Sequence, residues 1–130
     1  MAMSEDEVNL PDVLAEVTAL FERYEQALVG NDIATLDALF WPSQFVLRFG
    51  SGENLYGIDA IRAFRAARSP AGLARELRNT VITTFGRDFA TTNTEFFRSD
   101  PKRCGRQSQS WVRFENGWRI VAGHISIIDV

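Results

Sequence analysis

Two rhythms of apolar and polar residues divide the chain, with the change near residue 73. In the first part, Val13, Val17, Leu20, Tyr24 and Ala27 follow one another at spacings of four, three, four and three. That spacing predicts one apolar stripe of a 3.6-residue helix. The helix is expected to start near Asn9, with Pro11 in its first turn and Asp12 favoured by the positive end of the dipole. Gly30-Asn31 ends it. Asp32 is placed to cap a short second helix, Ile33 to Phe40, whose apolar positions are Ile33, Leu36, Leu39 and Phe40, and Trp41-Pro42 stops it. Gln44 to Gly50 alternates and predicts a strand closed by the turn Ser51-Gly52-Glu53-Asn54. Gly57 precedes a third helix from Ile58 to about Arg68, with Ile58, Ile61 and Phe64 on one side, and Ser69-Pro70-Ala71-Gly72 reads as a loop.

From Leu73 the rhythm shortens to two. Four strands are predicted at about 75–85, 89–98, 106–115 and 118–128, joined by Gly86-Arg87-Asp88, a longer loop around Asp100-Pro101, and Asn116-Gly117. Asn-Gly is a two-residue hairpin signal. Helices followed by hairpin-linked strands imply an α+β fold with the helices on one side of an antiparallel sheet. The 130 residues suit a single domain, expected over 9–130, with the acidic, polar stretch 1–8 as a loose N-terminus. An apolar fraction of 45% with 24% charged residues argues against disorder and coiled coil. No run of about 18 apolar residues and no basic-then-apolar leader stands out, so a cytoplasmic protein is expected. The formal charge of −3 argues against a general nucleic-acid binder.

Scarce residues narrow the chemistry further. Cys104, His124 and Lys102 are each the one residue of their type, while thirteen of the fourteen basic residues are arginine. An internal disulfide, a Cys-rich zinc site and a His pair are excluded within one chain, and a buried Schiff-base lysine is disfavoured. Neither a metal nor an organic cofactor is expected. Arginine, with its planar fork of donors, is what remains for holding carboxylates.

Individual residues then become candidates. Tyr24 lies in the helix stripe, either as a core ring whose hydroxyl finds a nearby carbonyl or as a pocket residue able to move a proton. Alternation places Arg48 with Val46, opposite Phe45, Leu47 and Phe49. There it is either an outer-face arginine or a guanidinium that clamps a carboxylate with two parallel hydrogen bonds. Arg62, Arg65 and Arg68 recur every three residues on the third helix. Most of that row is expected to be solvated, with Arg68 turning inward at the helix end. If Asn116-Gly117 forms the loop, Glu115 opposes Trp118, and Trp111, Gln109 and Gln107 pair with Ala122, His124 and Ser126 on one shared face. A Gln-His-Gln-Ser patch is too polar for a dry core, so it lines either a pocket or a subunit interface, with the Gln107–Ser126 end assigned to the interface. A curved one-layer sheet bearing Trp111, Trp118 and Ile125 to Ile128 would expose apolar surface, which predicts a homodimer.

The order helix, helix, strand, helix, four strands resembles the NTF2-like superfamily and its SnoaL-like members, in which a strongly curved sheet wraps a long first helix into a cone with a pocket at the open end. Phe21 to Leu28, Gly57 to Arg65 and Gly117 to Ser126 carry that resemblance, which covers roughly residues 10–130. Phe45-Val46-Leu47-Arg48-Phe49-Gly50, Phe64-Arg65-Ala66-Ala67-Arg68 and Gly105-Arg106-Gln107-Ser108-Gln109-Ser110-Trp111 are similar to a narrower bacterial branch. It comprises the oxalurate-catabolism proteins and the small protein of the cyanuric acid degradation operon, whose relatives are encoded beside amidases. The resemblance implies conversion of 1,3-dicarboxyurea, or a related ureido acid, to allophanate. It favours Tyr24 and Arg48 as the catalytic pair, with Arg68, Gln109 and His124 as further substrate contacts. A non-catalytic ligand-binding module or amidase partner is the alternative, and a SnoaL-type isomerase, cyclase or dehydratase is a third. Fold alone does not choose among them.

Overall fold

Helix α1, Pro11–Val29, is the element on which the other layers close. The computed structural model describes residues 2–130. It buries Val13, Val17, Phe21, Tyr24, Ala27 and Leu28 along one side of α1. Phe21, not Leu20, takes the inward position, and Leu20 is half-buried at the margin of the stripe. Helix α2, Ile33–Leu39, begins where Asp32 accepts hydrogen bonds from the Thr35 backbone N–H at 3.2 Å and the Thr35 hydroxyl at 2.6 Å. Helix α3, Ile58–Ala67, follows Gly57, whose φ of 83° lies where a side chain would be strained.

Six strands form one curved sheet: β1 (Leu47–Phe49), β2 (Asn54–Tyr56), β3 (Glu76–Phe85), β4 (Phe89–Phe97), β5 (Arg103–Phe114) and β6 (Gly117–Asp129), in the order β2-β1-β6-β5-β4-β3. The α+β architecture is as expected, with two differences. The predicted strand 44–50 contracts to three residues, and Asn54, expected in a turn, opens β2. A three-residue strand has too little alternation to be seen in a sequence. In addition, β1 runs parallel to β6 rather than antiparallel. Most of the chain intervenes between these two strands, so no tight turn dictates their relative direction.

The last hairpin departs from its expected register. Phe114 pairs with Gly117, so the loop is Glu115-Asn116, and a bulge between Ser110 and Trp111 shifts the pairing again. Beyond the bulge, Gln109 meets Gly123, Ser108 meets His124, Gln107 meets Ile125 and Arg106 meets Ser126. The two-residue slip at the turn becomes a one-residue slip at His124, and an odd slip exchanges the faces of the sheet. Gln107 and Gln109 are therefore buried on the helix side, while His124 is exposed. The expected shared Gln-His-Gln-Ser face does not form.

Trp111 and Trp118, expected on an exposed face, belong to the core with Ile120, Leu36, Phe40 and the α1 stripe. Their indole N–H groups are satisfied: Trp111 donates to the Thr92 hydroxyl at 3.0 Å and Trp118 to Glu16 at 2.6 Å. Buried indoles need such partners. Met1 of the expected loose N-terminus lies outside the described residues. In the rest of that stretch Ser4 caps a single 3-10 turn, Glu5–Glu7, and Val8 bridges Phe85. Among the described residues, no helix is long and apolar enough to cross a membrane.

Several apolar side chains remain on the surface. Phe45 is 71% exposed and Tyr56 67%, with Ile127, Ile128 and Val130 also exposed. Phe49 holds Tyr56 and His124 edge-on at centroid distances of 5.6 and 5.9 Å. We propose a homodimer that covers the outer sheet face around Phe49, Tyr56 and His124; Ile127 lies on the other face, in the wall of a cavity. Sedimentation velocity at micromolar concentration is expected to give twice the chain mass of 14.6 kDa; a single species at the chain mass would contradict it.

Candidate functional site

Between α1, α3, β1 and the helix-side face of β4 to β6 lies a cavity of about 330 Å³. The polar groups in its wall come from α1, β1, the turn before β2, the α3–β3 connection, β5 and the end of β4. Tyr24 comes from the middle of α1, is only 2% exposed, and sets its ring 6.4 Å from Phe40. It is at once a core ring and part of the cavity wall.

Arg48 reaches the cavity because β1 alternates, turning Val46 and Arg48 inward and leaving Phe45 exposed. Its Nη1 donates to Glu53 Oε1 at 3.1 Å, and the guanidinium lies 5.2 Å from the Phe64 ring centroid. Glu53 comes from the turn before β2 and folds over Gly50, where a Cβ would collide with its carboxylate. A Cβ at this position would push the Glu53 carboxylate aside. Arg68 follows α3 and turns inward as expected, half-buried, with Nε and Nη2 buried and without a hydrogen-bond partner among the described residues. Burial lowers its pKa and the nearby Arg48 charge lowers it further, while Tyr24 opposes the shift. It nonetheless remains charged, as arginine does in proteins.

Two further cationic groups line the cavity that sequence reasoning did not single out. Arg75, just before β3, has a side chain 2% exposed. It donates from Nε to both Glu25 oxygens at 3.2 and 3.0 Å, and from Nη2 to Glu25 Oε1 at 2.6 Å and Gln107 Oε1 at 2.9 Å. Arg98 follows β4 and donates from Nε to the Gly72 carbonyl at 3.0 Å. Both stack on Phe96, with guanidinium carbons 4.5 and 5.0 Å from the ring centroid. Neither Arg75 nor Arg98 occupies a sequence pattern that distinguishes it from a surface arginine. With Glu53 in the wall and Glu25 behind Arg75, the four arginines leave a positive excess suited to a small anion.

Arg65 corrects the expectation for the α3 row. Arg62 is exposed, but Arg65 is 3% exposed beneath the cavity, 5.0 Å from the Phe40 ring, with Nε 3.6 Å from Asp37. Burial pulls its pKa down; the charge interaction with Tyr24 is the largest opposing influence. A helical stripe through Ile58, Ile61, Arg65 and Arg68 carried the signal, because Arg65 lies four residues after the fully buried Ile61.

Tyr24, Arg48 and Arg68 thus meet at one cavity, and Gln109 and His124 do not join them. Gln109 is buried elsewhere on the helix side and accepts from the Thr92 hydroxyl at 3.3 Å. His124 is on the opposite face, carried there by the bulge and the shifted turn. Gln107 on β5, expected at an interface, faces the cavity instead. Among the described residues, no three His, Cys, Asp or Glu side chains converge as a metal site.

The sequence matches a family model described as AtzH-like over residues 6–130. A crystal structure from Pectobacterium atrosepticum, described as a protein with unknown function from the DUF3225 family, is 58% identical. It superposes with a TM-score of 0.96 over 98% of this chain and 100% of that one. A cystatin-like fold protein from Burkholderia xenovorans is 48% identical, with a TM-score of 0.92 over 95% of this chain and 98% of that one. An NTF2-like protein of unknown function from Pseudomonas putida shares the fold at 20% identity, with a TM-score of 0.72 over 96% and 89% of the two chains. No curated protein matches.

The buried charge beneath the cavity gives a stability test. Asp37→Ala would leave the Arg65 guanidinium without its nearby carboxylate, a loss of about 2 kcal/mol. That is below the roughly 3–5 kcal/mol of a broken, fully buried pair, because the 3.6 Å contact makes no hydrogen bond and Asp37 is partly solvated. Urea unfolding of the variant measures it. An unchanged midpoint would mean that the Phe40 ring and Tyr24 suffice to hold the charge.

Proposed function

The chain belongs to the AtzH-like family and has an NTF2-like fold, and on that premise we propose that its cavity binds a small dianionic ureido acid and converts 1,3-dicarboxyurea to allophanate. The observation that carries the reading is the Arg68 guanidinium, buried donors unpartnered, in one wall with Arg48 and Tyr24. Unpaired buried donors are costly, and a carboxylate with two acceptor oxygens relieves that cost. The resemblance to the small protein of the cyanuric acid degradation operon supplies the substrate.

In the proposed step, 1,3-dicarboxyurea loses one carboxylate as CO₂. The carbamate C–N bond breaks, its electron pair stays on nitrogen, and nitrogen takes one proton to complete allophanate. No electron acceptor is needed, and atoms and charge balance with that single proton. Arg48 and Arg68 hold the two carboxylates, which neutralises the repulsion between them. Tyr24 gives the proton from its hydroxyl and regains one from solvent. The guanidinium charges of Arg65 and Arg68, both in electrostatic contact with Tyr24, stabilise the phenolate left in between. An association with an amidase that consumes allophanate belongs to the same proposal.

The decisive experiment supplies freshly generated dicarboxyurea to the purified protein and follows CO₂ and allophanate directly. Tyr24→Phe removes one oxygen from a largely apolar setting, so folding stays intact, while turnover falls by about 10²-fold or more. Arg48→Lys keeps the charge but loses the planar fork and fails at a bidentate carboxylate contact. Near-normal turnover in both folded variants would place the site elsewhere. A pure binding module gives a different pattern: no turnover in the wild type, and weakened ligand affinity in Arg48→Lys.

Since the step needs only a proton and fixed positive charge, prolonged chelation should leave turnover unchanged. Loss of activity after chelation, restored by a divalent ion, would contradict the arginine-and-tyrosine mechanism.

A further inference from the structure

One polar group in the cavity wall is not used by the reading above. Gln107 is 2% exposed, lies on the cavity, and carries an amide nitrogen, Nε2, buried without a partner among the described residues. Its other amide atom, Oε1, accepts a hydrogen bond from Arg75 Nη2 at 2.9 Å. Arginine has donors and no acceptor, so the atom that faces it must be the oxygen. The Arg75 guanidinium cannot swing away, because Glu25 grips it through Nε and Nη2 and the Phe96 ring lies against it. The orientation of the Gln107 amide is therefore dictated: its acceptor is spent on Arg75, and two N–H donors are left over in the wall.

We propose that Gln107 determines specificity by donating from Nε2 to a neutral carbonyl oxygen of the bound dianion, the oxygen that distinguishes a ureido acid from a plain dicarboxylate. This rests on the dianion reading of the cavity and adds to it. The guanidinium groups of Arg48 and Arg68 match carboxylates in charge and geometry; a neutral amide donor matches a neutral acceptor. A ligand without that acceptor leaves the buried N–H groups unsatisfied, which penalises it relative to one that has it.

A pair of simple acids tests the inference apart from catalysis. 3-Oxoglutarate places a carbonyl between two carboxylates with the same chain length as dicarboxyurea, and glutarate has the same chain without the carbonyl. Calorimetric titration with freshly dissolved acids is expected to show 3-oxoglutarate bound about tenfold more tightly by the wild type. Gln107→Glu keeps an acceptor for Arg75 but replaces the donor with a second acceptor. The added negative charge weakens both acids, and the preference for 3-oxoglutarate should vanish or reverse. Gln107→Met, which removes both polar atoms at similar volume, provides the same ratio without the added charge should the glutamate variant fail to fold. A preference that persists in a folded variant overturns the assignment to Gln107. Equal affinity of the wild type for the two acids overturns the carbonyl contact while leaving the dianion site standing. Failure of the wild type to bind either acid overturns both.

Discussion

Burying positive charge is the constraint around which this structure is organised. A guanidinium removed from water has to recover its lost hydration from neighbours, and the arginines at the cavity do so in different ways. Arg48 uses the Glu53 carboxylate and the face of Phe64; Arg75 uses Glu25, Gln107 and the face of Phe96; Arg98 uses a backbone carbonyl and the same ring. Beneath them, Arg65 rests on Phe40 with Asp37 nearby. Arg65 and Arg68 each keep two buried donors with no hydrogen-bond partner among the described residues, and of these two Arg68 is the one that lines the cavity. Carboxylates thus offset the charges of Arg48 and Arg75, while Arg98 and Arg68 keep theirs, an excess of positive charge suited to an anion.

The fold makes this possible by bringing partners from distant parts of the chain. Glu25 on α1 and Arg75 before β3 are 50 positions apart, and Gln107 on β5 is another 32 beyond Arg75. A network of that span depends on α1 being fixed against the sheet by its apolar stripe and by the Trp118–Glu16 hydrogen bond. Glu25 lies next to Tyr24 in sequence, so a displacement of α1 would disturb the Tyr24 wall of the cavity and the anchor of Arg75 together. Stability and the geometry of the cavity are consequently coupled through one helix.

Much of the architecture was legible in the chain. The α1 stripe, the Asp32 cap, Gly57 before α3 and the order of the three helices and the last four strands are local signals, set by backbone sterics, capping and side-chain periodicity. Strand alternation separated Arg48 from Phe45, Leu47 and Phe49 for the same reason, but left open which of the two faces turns inward. Arg65 was legible in principle from the helical stripe, yet a charged residue on an exposed-looking row hides the signal.

Only the tertiary structure decided which face of β6 met the cavity. One bulge between Ser110 and Trp111, with the turn at Glu115-Asn116, sends His124 outward and leaves Gln107 and Gln109 inside. A register depends on pairing energies summed along both strands, which turn residues alone do not specify. The same holds for Arg75, Arg98 and Glu53, whose identity as cavity residues exists only through neighbours distant in sequence. The chain by itself determined periodicity, caps and the supply of arginine, because these act over one or two turns of backbone. Which arginines find partners and which keep buried donors without one was settled by long-range packing, because desolvation is a property of the assembled neighbourhood and not of the residue.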